Sequence, residues 1–339
     1  MHCIGVDVSK QELVTFDGTR ERVFPNTHGL PEFRQFLKRS EDVFVIFEPT
    51  STYSRRLETL CRTQRIWCCS LNPRVVPHLR QVGRGRSKTD SSDAELLYRY
   101  GIERGHSEAV QLEKDSLAES IQARFACYRV AQKARVAYQG VVEALTHDPA
   151  TPRVLLADLR TEIADLKAKE RHHLDAGQRL VEEDAEGAKQ LAALLSIRGV
   201  GPVTGLTLLP LFRKYNDANR RQIVALAGLD PIHFQSGTSI HGKSRISKRG
   251  NREVRKRLYE ATLSAARYNP SRSRSCEATP KLLALASSQS TRRLKEQGKP
   301  EKVARIAAAR KLLLIVHAIY RSGVAYSDPN IEHEFRSNS

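Results

Sequence analysis

Four carboxylates in this 339-residue chain stand where they could hold a metal ion: Asp7, Glu48, Asp90 and Asp93. Asp7 interrupts the apolar run His2 to Val8, and a carboxylate inside a strand is costly unless it binds something. Glu48 directly follows Asp42 to Phe47, the most apolar strand-like stretch of the sequence. Asp90 and Asp93 are three residues apart at the predicted start of a helix, so both project from one face. Strand ends carrying Asp and Glu, faced by a helix with two more Asp, gather hard oxygen donors that suit Mg²⁺ or Mn²⁺. Two such ions about 4 Å apart can activate a nucleophile and stabilise a leaving oxygen in phosphoryl transfer. Each residue also has a plainer reading. Asp7 can cap the Val8-Ser9 turn, Glu48 can end a strand before Pro49, and Asp90 and Asp93 can complement a helix N-terminus, worth ~0.3–1 kcal/mol. The set of four favours the metal.

A second constellation runs from Phe234 to Gly250 and continues into a predicted helix with Arg252, Arg255, Lys256 and Arg257. From Lys243 to Arg257 there are eight Lys/Arg, including Arg245, Lys248 and Arg249, and one acid, Glu253. Gly237, Gly242 and Gly250 let the backbone approach a partner, and Ser236, Ser239, Ser244 and Ser247 offer hydroxyls. A basic Gly/Ser loop ahead of a basic helix is usually a clamp on phosphate backbone. A nucleophilic serine is the sharper alternative, and it needs a base, metal or cation to activate it. His233, His241, Lys243 and Arg245 are candidates, and spacing does not choose among them. A further stretch with five Lys/Arg (Arg74, Arg80, Arg84, Arg86 and Lys88) and no acid precedes Asp90. The two basic patches are expected to line a nucleic-acid channel beside the metals.

Composition agrees. Lys and Arg number 56 against 38 Asp and Glu, a formal charge of +18 that asks for a polyanionic partner. With 40% hydrophobic and 28% charged residues the chain has the balance of a globular protein, long enough for two or three domains. No segment approaches the ~20 apolar residues of a membrane span. The best candidate, Leu312 to Tyr320, is flanked by Lys311 and Arg321. Asp7 and Lys10 fall where a signal peptide needs apolar residues, so a cytoplasmic protein without a membrane partner is expected. The six cysteines lack metal-ligand spacing and read as buried free thiols.

These residues need elements to position them. Residues 1–108 read as an α/β domain: strands over His2 to Val8, Gln11 to Phe16 and Arg22 to Phe24, then strands and helices in alternation, which predicts a mixed sheet. Over 109–187, Leu117, Ile121, Phe125 and Tyr128, and later Leu156, Leu159, Ile163 and Leu166, recur at helical spacing. They predict an antiparallel helical pair or coiled coil, serving as a spacer or, by slight preference, a dimerisation arm. Residues 188–339 read as a mainly helical domain. Its turn Ile197-Arg-Gly-Val-Gly201 is like a helix-hairpin-helix turn, which exposes amides to phosphate; a plain tight turn explains it nearly as well.

Taken together, these motifs resemble the DEDD transposases of the insertion-sequence one-ten family, which are bridge-RNA-guided recombinases. Ile4-Gly-Val-Asp-Val-Ser-Lys10, Phe47-Glu-Pro-Thr50 with Tyr53, and Asn72-Pro73 with Ser87-Lys-Thr-Asp-Ser-Ser-Asp-Ala94 are similar to its three N-terminal motifs. Ile197-Arg-Gly-Val-Gly201, Ala225-Leu-Ala-Gly-Leu229 and Gln235-Ser-Gly-Thr-Ser239 are similar to its C-terminal domain. The resemblance covers nearly the whole chain, in the family's order. Pro49, where many relatives carry a small residue, departs from the pattern. The resemblance implies a RuvC-like (RNase H fold) domain whose acids, here Asp7, Glu48, Asp90 and Asp93, bind Mg²⁺. It further implies a coiled-coil region and a transposase domain whose catalytic serine falls on Ser236. In the family that serine forms a covalent link to DNA beside acids of a partner subunit, so a dimer or tetramer is implied. The implied partners are target and donor double-stranded DNA and a structured noncoding RNA, in a prokaryotic cell where the protein sits on the nucleoid when bound to DNA. Two other functions stay open at this point. One is a RuvC-like junction nuclease using water, and the other a non-catalytic basic nucleic-acid-binding protein.

Overall fold

The computed structural model describes residues 2–40, 42–50, 52–73, 76, 93–105, 109–111, 115–197, 199–236, 240–267, 294 and 296–324, with the backbone alone at 233–236, 240–244 and 265–267. The chain divides into two units, Met1–Lys114 and Asp115–Ser339. In the first, β1 (His2–Val8), β2 (Glu12–Phe16) and β3 (Glu21–Pro25) form an antiparallel meander. Local polar side chains close its turns. Ser9 Oγ accepts from the amides of Gln11 and Glu12 at 3.2 and 3.0 Å, and Asp17 Oδ1 accepts from those of Thr19 and Arg20 at 3.0 Å each. Then follow α1 (Leu30–Leu37), β4 (Val43–Phe47), α2 (Arg55–Thr63), β5 (Trp67–Ser70) and α3 (Asp93–Tyr100), which runs into a π turn at Gly101–Gly105.

The strands form one mixed sheet, β3-β2-β1-β4-β5, with β4 parallel to both β1 and β5. Every residue of β4 is buried, as its apolar run requires of a strand covered on both faces. Side-chain alternation then assigns the faces. Ile4, Val6, Val8, Val45 and Phe47 pack with Phe33 and Leu37 of α1 and Leu57 and Cys61 of α2. Cys3, Phe44, Ile46 and Cys69 pack on the other side with Leu97 of α3. Cys3, Cys61, Cys68 and Cys69 are buried free thiols as expected, and burial together with nearby Cys69 pushes the Cys3 thiol up to about 12. Cys127 departs from the expectation: it lies exposed on a helix with solvent on that face.

The second unit opens with α4 (Ser116–Thr146) and α5 (Arg153–Glu182), packed on each other as a helical hairpin. Asp115 caps α4 by accepting from the Ala118 amide at 2.9 Å. Next come α6 (Ala185–Leu195), α7 (Pro202–Lys214), α8 (Arg220–Ala227), the strands β6 (Pro231–Ser236) and β7 (Ile240–Ile246), α9 (Arg252–Arg267) and α10 (Glu301–Ser322). The base of the hairpin joins the core of α6 to α10 through Ile121, Phe125 and Tyr128 of α4 and Val181 of α5, and farther out Ile163 of α5 is buried as well. Farther out, Val136, Val141, Val154 and Leu155 are exposed. Arg213 at the end of α7 fastens the base. Its Nε donates to Asp115 Oδ2 at 2.6 Å and its Nη1 to Asp184 Oδ2 at 3.1 Å, so the carboxylates that cap α4 and α6 also bind α7.

The apolar run Leu312 to Tyr320 is the core-facing stripe of α10, and among the described residues no helix is long and apolar enough to cross a membrane. Gly199, at φ +95°, turns the chain between α6 and α7, and Ile197 and Val200 bury that turn against the core. The basic serine segment differs from the expected loop. β6 and β7 pair antiparallel from Pro231↔Ile246 to Ser236↔Ile240, with an irregularity between Ile232 and Phe234. Its density of Gly and Ser masks Ile232, Phe234, Ile240 and Ile246, the strand-forming residues that the pairing uses.

Candidate functional site

In the parallel β1–β4 ladder Val6 pairs with Phe47. The next residues, Asp7 and Glu48, therefore stand side by side and face the same way, with Asp7 still paired with Val14 of β2. That face carries α3. Gly5, two residues before Asp7, lies directly beneath the helix: a Cβ there would overlap the Ala94 carbonyl and stand 2.6 Å from the Tyr98 amide nitrogen. Only glycine permits so close an approach, and it brings the helix residue before Ala94, Asp93, over the same strand. Phe16 and Tyr98 hold the helix from β2, ring edge to face at 5.3 Å. Asp7, Glu48 and Asp93 are each half-buried.

Asp7 and Glu48 thus emerge on the face of the sheet that α3 covers, and Asp93 is the first residue of that helix. Asp90 lies outside the described residues. Among the described residues no three or more His, Cys, Asp or Glu are close enough together to hold a metal ion. The donors at this edge are hard carboxylate oxygens, which fit a hard divalent cation, with Asp7 and Glu48 as the adjacent pair. Sequence reasoning named these acids; it missed that Gly5 sets the distance to the helix above them.

Ser236 is the last residue of β6, its Cα paired with that of Ile240; its side chain is not among those described. Main-chain bonds lock the base of this strand pair. The amides of Ser247, Lys248 and Asn251 donate to the carbonyls of Asp230, Gly228 and Leu226 at 2.9, 3.1 and 3.0 Å. Ser247 Oγ adds a bond to Asp230 Oδ1. Gly228 ends α8 at φ +66°, where a Cβ would stand 2.6 Å from the Gly250 amide nitrogen. Arg255 was singled out in the sequence only as part of a basic helix. Its Nη1 donates to the Ala227 and Gly250 carbonyls at 2.9 and 2.7 Å, so it clamps both sides of the base.

The basic residues divide accordingly. Arg245, Lys248, Arg249 and Arg252 are exposed. Lys256 is exposed too, with Nζ 3.3 Å from Gln132 Oε1 and 3.9 Å from Glu260. Arg257 is buried between Glu253 and Glu260, at 2.7 and 2.9 Å, which makes it part of the packing of α9 on α4. The Lys243 side chain and Arg74, Arg80, Arg84, Arg86 and Lys88 lie outside the described residues.

Comparison with known proteins gives two family matches. A model of DEDD transposases of the IS110 type, described as "Transposase", matches residues 4–138. A model described as "Transposase IS116/IS110/IS902 family" matches residues 191–276. The first match spans the sheet, α3 and most of α4; the second spans α7 to α9 with the serine-bearing strands. A "Pilin gene-inverting protein" of Moraxella bovis is 25% identical, covering 94% of this chain and 95% of its own length. A protein of the same name from Moraxella lacunata is also 25% identical with the same coverage.

Proposed function

This chain belongs to the IS116/IS110/IS902 family of transposases, and on that premise we propose that it cuts and rejoins double-stranded DNA through a covalent link to Ser236. Membership of a DEDD family implies use of divalent metal. The proposed ligands are Asp7, Glu48, Asp90 and Asp93 and the proposed ion Mg²⁺, with Mn²⁺ as a substitute. The observation that carries this reading is the placement of Asp7 and Glu48 on adjacent parallel strands, beneath the helix that bears Asp93.

In the proposed step Ser236 Oγ attacks a backbone phosphorus. The serine–phosphate bond forms as the bond from phosphorus to one deoxyribose oxygen breaks, and the released hydroxyl keeps the proton the serine gives up. Attack by a hydroxyl of another DNA end reverses the exchange, freeing the serine and sealing the strand without an outside energy source. A divalent metal held by the proposed acids would supply charge stabilisation to the phosphoryl transfer. Arg245, Lys248, Arg249, Arg252 and Lys256 hold the DNA backbone, joined in this reading by Lys243, Arg74, Arg80, Arg84, Arg86 and Lys88. A structured noncoding RNA guides the choice of target and donor DNA, so the protein reads backbone and RNA shape. The exposed apolar residues of the α4–α5 hairpin support assembly as a homo-oligomer, with serine and acids contributed by different copies.

Rejoining is favoured over plain hydrolysis by the relatives named for gene inversion, because an inverted segment must be sealed at both ends. The test is a denaturing gel for a protein–DNA adduct, using the protein co-expressed with the noncoding RNA that flanks its gene, labelled target and donor DNA, and Mg²⁺. We expect an adduct that disappears in both Ser236→Ala and Asp7→Ala. Cut DNA with no adduct, unchanged by Ser236→Ala, would instead establish a hydrolytic nuclease. Nucleic-acid binding with no Mg²⁺-dependent cutting would establish a binding protein.

A further inference from the structure

We propose that Asn26 is a positioning residue for the metal site, its side-chain amide tying together the segments that leave β1 and β4 and so fixing the separation of Asp7 and Glu48. This deepens the metal-site reading above and rests on it.

The β1–β4 ladder ends at Val6–Phe47, one residue short of both acids. Beyond that point β2 still holds Asp7 and Val8, through Val14 and Leu13, and the position of Glu48 relative to Asp7 depends on what ties the segment leaving β4 to this side of the sheet. Asn26, just past β3, is 2% exposed. Its Nδ2 donates to the Ser9 carbonyl at 2.7 Å and to the Tyr53 carbonyl at 3.1 Å. Ser9 follows Asp7 by two residues, and Tyr53 lies in the segment that leads from Glu48 into α2. One nitrogen thus cross-links the chain just downstream of each acid. The Asn26 backbone is equally held: its amide donates to the Gln11 carbonyl at 2.7 Å, and its carbonyl accepts from Arg56 Nη1 at 3.0 Å.

The other half of the side chain sharpens the inference. Asn26 Oδ1 is buried without a hydrogen-bond partner. An unpaired buried acceptor costs about 1–3 kcal/mol, so the two bonds from Nδ2 must outweigh it. A flipped amide would set that oxygen against two carbonyl oxygens, which fixes the orientation. Residues that orient metal ligands from behind act through them: their loss weakens the metal while the fold persists.

The test is Mn²⁺ binding by the full-length protein, followed by electron paramagnetic resonance well below the melting temperature. Asp7→Asn tests the site itself. Thr15→Val is the control for mere loss of a buried polar bond: Thr15 is 1% exposed and donates to the Arg22 carbonyl at 3.0 Å, within the β2–β3 pair. We expect Asn26→Ala to weaken Mn²⁺ by ~10–100-fold, with Thr15→Val within about twofold of the parent. Asn26→Ser, which keeps one short donor, replaces the alanine variant if that does not fold, and the same loss is expected of it. Asn26 variants that bind Mn²⁺ as tightly as Thr15→Val, while Asp7→Asn does not bind, would overturn the positioning role and leave the metal site standing. A parent protein that binds no Mn²⁺, or an Asp7→Asn protein that binds it equally, would overturn the metal reading and this inference with it.

Discussion

His317 is buried in α10 with its Nε2 unpartnered, its ring 5.3 Å from that of Phe212. Burial, and then the charge of Arg321, lower its pKa from 6.5 to about 4. On acidification the unfolded chain takes up this proton first, so stability present above pH 6.5 is lost progressively down to about pH 4. At 1.36 kcal/mol per unit the loss is roughly 3 kcal/mol. Urea unfolding between pH 7 and 4 should show this decline, and in a His317→Leu protein the decline over that range should be smaller by about that amount. Nothing in the sequence marked His317, since a histidine in an apolar helix gives no sign of its depth. Asp7 and Glu48 were legible because each is a charge set at an apolar strand, a placement with few reasons to exist. Asn26 was not, because one Asn ahead of Thr-His-Gly has the composition of any turn, and its role comes from two carbonyls distant in sequence.

Among the elements, the strands of the first unit could be read in advance because period-two alternation and continuous apolar runs translate directly into burial. The β6–β7 pair could not. Its stability comes from backbone bonds at its base, which any residue types can make, and its side-chain pattern is diluted by Gly and Ser. Gly228 is the exception, since its left-handed φ of +66° excludes most other residues and the space beside it is taken by Gly250. We expect Gly228→Ala to lower stability by at least about 1 kcal/mol and to speed amide exchange in β6 and β7. Hydrogen exchange on the folded protein checks this; unchanged protection in those strands would mean that the base does not depend on this residue. The coupling of the helical hairpin to its neighbours was likewise hidden, because Arg213 unites two capping aspartates from separate stretches of sequence.

At the scale of the whole molecule the surplus of +18 was plain from composition, and it dictates how the protein meets DNA. Each phosphate neutralised should steepen the dependence of log K on log salt by about 0.9. Arg252 is exposed at the start of α9. Changing it to Gln should therefore lower that slope by about 1 and weaken all DNA sequences alike, as fluorescence anisotropy across a salt series can measure. Changes of pattern along the sequence divide the chain into three regions, 1–108, 109–187 and 188–339, whereas contacts between distant residues, which leave no local mark, group it into two units. One property of the first unit reaches beyond the finished protein. Its β1–β2–β3 meander joins neighbours in sequence, but Val6 must wait for Phe47, and Gly5 for the helix that begins at Asp93. Such distant pairings form late, and at synthesis rates of ~5–20 residues per second the first hundred residues take about 5–20 s to be made. Until then a nascent chain has Asp7 but neither its strand neighbour's Glu48 in register nor Asp93 above it. On the proposed reading, no metal site can assemble before the chain has grown past Asp93.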